Sequence, residues 1–418
     1  MSIERVLLDC FSIILTILTF LYFILNSVFS LKNINSSKQA SSNVSDLNEI
    51  TVIIPVYKEK PEIFEECVKS VKMQNVKFIV VGDGVTEPYL SITKKYGGKF
   101  ISLKERNGKR IALSEGIKEV STKYVMFLDS DTILPQNTIS RLLRLFKDDV
   151  GGVSAKISVI NNKKVSFYYA EFYQRLQEIP VRAVNYFGNS IILYGNAVIY
   201  RTELIKSFLQ SEEFKNPKIF GIRVLIGDDR ELTNYIIKRG YRAIVDFSTE
   251  VYTYPPSNIF QFSKQVIRWS KTSYYFFLKE LLNRDLIRRG KLYVFNSIYT
   301  NLILPFTPIL MPILEYLFLN KNPVLSFNYI FKIFNIIFNM SILFGHISQI
   351  FIIHYHIFII TNFLSSISIF PFIYTMIKNM KRDKLRVLIL GSVALGIQYV
   401  VTFYTLLTLW KQDKWLTR

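Results

Sequence analysis

Asp129 and Asp131 stand two apart at the end of an apolar run, in YVMFLDSD. Alternate residues of a strand point the same way, so both carboxylates can address one cation. Hard oxygen ligands of this kind suit Mg2+ or Mn2+, which bridge to phosphate oxygens. An ordinary solvated acidic turn fits the same letters. Asp83, in VVGDGV, ends a second apolar run between two glycines. It is placed to hold a ribose or a uracil edge, and equally to make a plain Asp-Gly turn. Asp228 and Asp229, in LIGDDRELTNY, open a helical pattern. Adjacent carboxylates repel, which raises the pKa of one and suits a general base. Helix capping is the plainer account. Gln265, Arg268 and Trp269, in QVIRWSK, share one helix face. Arg268 offers a bidentate contact to a diphosphate, Trp269 an apolar face to a sugar ring, and Gln265 amide hydrogen bonds. A helix lying at the membrane surface with its Trp at headgroup level explains the same residues.

The rest of the composition narrows the chemistry. The three histidines are His346, His354 and His356, all in the C-terminal apolar region. Ser-His and Cys-His catalysis and His-ligated zinc are therefore excluded from the preceding part of the chain. Cys10 and Cys67 cannot build a disulfide framework or a metal site. Chemistry there must run on carboxylates, an oxygen-held metal, Lys and Arg. The net charge is +20 and half of the residues are hydrophobic. No RNA-binding signature or zinc-finger spacing accompanies that charge, so nucleic acid is not the expected partner. Anionic lipid headgroups and a diphosphate-bearing substrate are.

These residues need elements to position them. Residues 10–31 form an uncharged run long enough to span a bilayer. The Ser- and Asn-rich stretch 32–49, with Lys32 and Lys38, reads as a linker on the cytoplasmic side. From residue 50 the pattern alternates: TVIIPVY, KFIVVGDG and YVMFLDSD as strands, PEIFEECVKSVKM, GKRIALSEGIKEV and NTISRLLRLF as helices. That order predicts a parallel sheet with ligands at the C-terminal ends of its strands. Residues 257–282 mix basic and aromatic residues as an interfacial helix does. Further spans are expected at about 294–319, 325–345, 348–377 and 387–410. The cluster KNMKRDKLR places residues 378–386 in the cytoplasm. With a cytoplasmic tail, segment 387–410 is then either a re-entrant hairpin or balanced by one fewer crossing upstream.

The ordered set PVYKE (55–59), GDG (82–84), NGKRIALSEG (107–116), DSD (129–131), GDD (227–229) and QVIRW (265–269) resembles the processive, membrane-integrated family 2 glycosyltransferases. Within them it is most similar to hyaluronan synthases, through CVKSVK, VGGVSAKISVIN, GDDRELTN, RWSKT and the tail WLTR. The resemblance implies a cytosolic α/β GT-A domain at 50–256 and amphipathic interface helices at 257–292. Around them it implies an N-terminal transmembrane helix at 1–31, a transmembrane bundle at 293–410 and a cytosolic tail at 411–418.

By the same resemblance Tyr57 and Asp83 hold the uridine, and Glu59, Lys109 and Arg110 lie on the nucleotide side. Asp131 carries Mg2+ or Mn2+, with Asp129 assisting near the diphosphate. Asp229, beside Asp228, is the base for the acceptor hydroxyl. Gly195, Asn196, Gln265 and Trp269 meet the acceptor, Arg268 meets the pyrophosphate, and Trp415 and Arg418 close over the nucleotide. Tyr194, Asn196 and Ile192 depart from the hyaluronan synthase pattern where the acceptor is expected. The implied protein is a multi-pass enzyme of the plasma membrane with its catalytic domain in the cytoplasm. It polymerises UDP-N-acetylglucosamine and UDP-glucuronate with inversion, needs no obligate protein partner and exports the polysaccharide itself. A single-donor chitin or chitooligosaccharide synthase is the nearest alternative. A non-processive lipid-linked transferase and a transporter with a non-catalytic domain stand further off.

Overall fold

The computed structural model describes residues 3–36, 46–219, 221–307 and 352–411. Its strands are β1 Ile50–Val56, β2 Lys77–Asp83, β3 Lys99–Leu103, β4 Tyr124–Leu128, β5 Thr132–Ile133, β6 Val150–Val159, β7 Ala197–Arg201, β8 Lys218–Ile219, β9 Ile222–Arg223 and β10 Arg242–Thr253. Eight of them form one sheet in the order β3-β2-β1-β4-β7-β6-β10-β5, while β8 and β9 make a separate pair. Strands β3, β2, β1 and β4 run parallel, as the alternating sequence pattern predicts. Their near-continuous apolar runs follow from burial on both faces. On β1, Val52 and Ile54 pack with Phe64 and Val68 on one face, and Ile53 packs with Leu113 and Phe127 on the other.

The expectation of a parallel sheet fails at β7, which is antiparallel to both β4 and β6. The reason lies in how the chain arrives. After β6 the helix Val165–Asn185 leaves the sheet, and the chain returns through residues 186–196 at the end where β4 finishes. Ala197 therefore pairs with Leu128, so the residues just before β7 lie beside those just after β4. Strand β10 then pairs parallel with β6. The short β5, directly after Asp131, closes that edge of the sheet.

A third apolar cluster joins Tyr22 of the N-terminal helix Ile3–Ser36 to Phe172, Phe262, Tyr299, Phe372 and Met376. These belong to the helices Val165–Asn185, Ile259–Leu282 and Ile352–Asn379 and to the π-helical turn Tyr299–Ile303 that continues the helix Lys291–Ile298. Among the described residues, two segments are long and apolar enough to cross a membrane: Ile13–Asn33, of 21 residues, and Lys384–Leu407, of 24. The latter consists of helices Lys384–Gly391 and Val393–Leu407, separated by Ser392 alone. The expected span at 325–345, part of that at 294–319, and the tail residues Trp415 and Arg418 lie outside the described residues.

Helix Lys384–Gly391 meets helix Val165–Asn185 at a glycine. A Cβ on Gly391 would stand 2.4 Å from Phe172 Cβ and 2.7 Å from the Tyr168 carbonyl oxygen. Only a residue without a side chain lets the two backbones approach so closely. Gly391→Ala should therefore lower the thermal midpoint in detergent, at a cost of about 1–3 kcal/mol from overpacking. Gly396→Ala, whose Cβ would meet nothing within 4 Å, should leave the midpoint unchanged or raise it. Equal midpoints for the two variants would remove this account of the helix contact.

Candidate active site

Strand ends and one helix start bring the acids together. Asp129 and Asp131 follow β4, and Asp228 and Asp229 occupy the first turn of helix Asp228–Lys238. Gly227, with φ 82°, makes the tight turn before them. Lys109 is the cation among these groups. Its Nζ lies 2.8 Å from Asp129 Oδ1, 3.4 Å from Asp228 Oδ2 and 3.7 Å from Asp229 Oδ1. Lys109 opens the helix Lys109–Gly116, and Asp83 fixes where that helix begins. The Asp83 carboxylate accepts the backbone N–H groups of Asn107 at 2.7 Å and of Gly108 at 2.9 Å. Asp83 thus organises the loop ahead of that helix and also lines the cleft.

Burial and the charges within this cluster together set its protonation. Burial and the adjacent Asp228 carboxylate push the Asp229 pKa up to about 8, against the pull of Lys109. Burial also acts to raise Asp228, but Lys109 and Arg110 outweigh it and hold that carboxyl below the usual range. For Asp129, burial dominates and moves the carboxyl upward despite Lys109. Lys109 itself is driven well above its ordinary value: burial opposes its charge, and three carboxylates more than compensate.

The loop before β7 packs directly on Asp229. A Cβ at Gly195 would fall 2.0 Å from Asp229 Oδ1, so any side chain there would push the carboxylate aside. The neighbouring Asn196 accepts the Asp129 N–H at its carbonyl, 3.1 Å away, and donates its side-chain amide to Thr132 Oγ1 at 3.3 Å. Helix Ile259–Leu282 supplies the opposite wall with Gln265, Arg268 and Trp269, as their shared face predicts. Trp269 stacks on Tyr173, with ring centroids 5.5 Å apart and planes 14° from parallel. At the far end Tyr57 lines the cleft, and the Arg106 guanidinium lies 4.1 Å from its ring centroid. Glu59 lines that end as well and holds the Tyr89 hydroxyl at its carbonyl, 2.6 Å away.

Every described residue that the sequence analysis singled out for the site, except Arg110, borders one cavity of about 1170 Å³, which continues between helices past Tyr22, Asn296, Tyr299 and Phe372. Arg110 is the correction to the sequence reading. It is buried and turned away from the cleft, ion-paired to Glu231 at 2.6 Å and donating to the carbonyls of Phe214, Leu225 and Ile226. The helix starting at Lys109 directs consecutive residues about 100° apart, so one of the pair reaches the acids and the other the core. Arg106 and Tyr173 escaped the sequence reading. Arg106 directly precedes NGKR and could have been found there; Tyr173 carries no local signal, since only tertiary packing brings it to Trp269.

The donor set fits a divalent cation. Asp129 and Asp131 offer hard oxygens two residues apart, and the buried Asp228 Oδ2 makes no hydrogen bond beyond the 3.4 Å ion pair with Lys109. Among the described residues no group of three His, Cys, Asp or Glu side chains is placed to hold a metal ion by itself. Two carboxylates completed by substrate phosphates is the usual Mg2+ arrangement.

Residues 51–209 match the family model described as glycosyl transferase family 2. The chain carries a family 2 glycosyltransferase domain. Its relatives include an N-acetylglucosaminyltransferase of Azorhizobium caulinodans, 25% identical over 260 residues, covering 58% of this chain and 65% of that protein. Hyaluronan synthase 3 of Homo sapiens is 30% identical over 171 residues, 40% of this chain and 31% of that protein. The chain thus spans less than two thirds of the length of these curated relatives. Among solved structures, a mannosyltransferase of Pyrobaculum calidifontis in complex with GDP-Man and Mn2+ superposes with a TM-score of 0.58 at 18% identity, covering 86% of this chain and 97% of that one. That likeness is one of fold, a GT-A-like glycosyltransferase fold.

Two outcomes follow for the family 2 domain. Gly195→Ala should displace the Asp229 carboxylate and reduce turnover about a hundredfold while nucleotide binding persists; unchanged turnover would mean that the contact with Asp229 is dispensable. With Asp229 as the base the sequence leads one to expect, which must be unprotonated to act, a pKa near 8 makes kcat/KM rise with pH up to about that value. In Asp228→Asn the like charge is gone and the acid limb should move to lower pH. An unmoved limb would show that another group titrates.

Proposed function

We propose that this protein is a UDP-sugar-dependent, inverting, processive β-glycosyltransferase that exports its polysaccharide between its own membrane helices. One observation carries the reading: the carboxylate cluster, the Gln265–Arg268–Trp269 face and the membrane-side helices border a single continuous cavity. A soluble transferase has no need of that continuity. The relatives named as hyaluronan synthase and N-acetylglucosaminyltransferase support the sugar class.

In this reading Tyr57 and Asp83 hold the uridine, with Glu59 on the nucleotide side and Arg106 over the Tyr57 ring. Lys109 and Arg268 face the diphosphate. The terminal sugar of the growing chain rests against Trp269, hydrogen-bonded by Gln265 and flanked by Gly195 and Asn196. Asp229 takes the proton from its attacking hydroxyl as the new bond forms to the donor's anomeric carbon. The bond from that carbon to the diphosphate oxygen breaks on the opposite side, so the configuration inverts and UDP leaves with the electron pair. Asp228 stays ionised beside Asp229 and makes it the better base. Asp131 and Asp129 are the residues to hold Mg2+ or Mn2+, which when bound neutralises charge on the diphosphate; the Mn2+ of the structural neighbour supports a divalent ion. Trp415 and Arg418 would close over the nucleotide. The protein would be multi-pass in the cell membrane, with its partners the donor, the polymer and lipid.

The donor pair expected from the sequence, UDP-N-acetylglucosamine and UDP-glucuronate, makes hyaluronan. A second reading has an observation in its favour. Among the described residues, the membrane-side cavity wall is built of amides, hydroxyls, aromatics and aliphatics, including Asn296, Asn301, Tyr299, Gln398 and Thr402, with no charged side chain. Such a wall suits an uncharged polymer such as a chitooligosaccharide, made from one donor.

UDP release by the purified protein with Mg2+ or Mn2+, given the two donors singly and together, separates the readings. Synergy with a product cut by hyaluronan lyase supports the two-donor enzyme, and full release from UDP-N-acetylglucosamine alone supports the single-donor one. Asp229→Asn should abolish release while UDP still binds, and chelation should stop the wild type. Turnover surviving either treatment would remove the base or the metal from the mechanism.

A further inference from the structure

The helix that carries Gln265 and Trp269 also carries a carboxylate at its other end. Glu280 is 2% exposed, and between Gln265 and Glu280 the helix rises about 22 Å. Three elements meet on this one group. Arg230 donates from Nε and Nη2 at 3.3 Å, and Asn234 Nδ2 donates at 2.8 Å. Both lie on helix Asp228–Lys238, directly behind Asp228 and Asp229. The Tyr293 hydroxyl donates as well, from the helix Lys291–Ile298 whose Asn296 and Ser297 line the cavity.

Arg289 extends the assembly to the loop before β7. It lies over the Tyr293 ring, 4.3 Å from the centroid, and bonds Asn234. Its Nη2 donates at 2.7 Å to the carbonyls of Ser190 and Ile191, a few residues ahead of Gly195. The base helix, the loop packed on the base, the acceptor-side helix and the cavity wall are therefore locked through one buried carboxylate and its partners. Arg230 is 7% exposed, so its guanidinium cannot be left uncompensated. Such a pair specifies how two elements dock more than it adds net stability.

We propose that Glu280 is a positioning residue that sets the gap between the Asp229 carboxylate and the acceptor sugar on the Gln265–Trp269 face. Asp229 comes from one helix and the acceptor platform from another, so their separation is only as defined as the joint between them. Reacting atoms must be held to within a fraction of an ångström, and a shift of about 1 Å costs on the order of a hundredfold in rate. Processive extension demands the same register after every addition. Glu280 does not border the cavity, so its loss should slow transfer and shorten the polymer without weakening donor binding. The inference rests on the transferase reading above.

The test uses the full-length protein in detergent, with kcat, donor KM, UDP affinity by calorimetry and product length measured together. Glu280→Gln should lower kcat at least tenfold and shorten the product, with KM and UDP affinity within twofold of wild type. Glu280→Asp, which keeps the charge, should recover most of the loss. Tyr293→Phe removes one donor to the same carboxylate and should act in the same direction by about threefold; it decides the question if Glu280→Gln does not assemble. Wild-type kcat and product length in these variants would overturn the proposal, as would UDP affinity falling in step with kcat, the mark of general loosening. A wild type that releases no UDP from any nucleotide sugar would instead overturn the transferase reading and this inference with it.

Discussion

Four carboxylates gathered at the mouth of a buried cleft repel one another, and the site depends on how that repulsion is held. Lys109 is the protein's answer, with its ammonium within 3.7 Å of Asp129, Asp228 and Asp229. Three carboxylates around one ammonium leave an excess of negative charge, which draws in further positive charge. A divalent ion and Arg268 are the groups of the proposed mechanism that meet that demand. The same imbalance separates the protonation of Asp228 from that of Asp229, so one remains ionised while the other becomes basic.

Everything around Lys109 serves to place it. Asp83, at the end of β2, accepts the amide hydrogens of the loop just before it. Arg110, one residue later, anchors the helix to Glu231 on the helix that bears the acid pair. The reversal of β7 then carries Gly195 onto Asp229 and Asn196 beside Asp129. A parallel strand at this place would have sent the loop to the opposite end of the sheet and left Asp229 without the packing of Gly195.

The acceptor side is assembled from elements far apart in the chain. Trp269 is stacked by Tyr173, whose hydroxyl in turn donates to Gln398 at 2.7 Å. The Trp269 ring is thereby braced by two of the helices that line the cavity. Glu280 braces the other end of the same helix. The proposed processive reaction needs such rigidity on both sides of the bond it makes, because the product of one cycle is the acceptor of the next.

The sequence by itself determined the parts whose logic is local. The strands ending at Asp83 and Leu128, the helix starting at Lys109, and the shared face of Gln265, Arg268 and Trp269 all follow from periodicity and from the turns that bound them. So does the apolar N-terminal helix, where the expected run at 10–31 overlaps the membrane-length segment Ile13–Asn33. Tertiary structure alone decided what depends on partners distant in the chain. It turned Arg110 into the core while its neighbour Lys109 met the acids, set β7 antiparallel, brought Tyr173 to Trp269 and closed Glu280 onto Arg230. The physical reason is the same in each case. A side chain's type and period are written in its neighbours along the chain, whereas the charge, ring or carbonyl that satisfies it once buried is supplied by whichever element the fold packs against it.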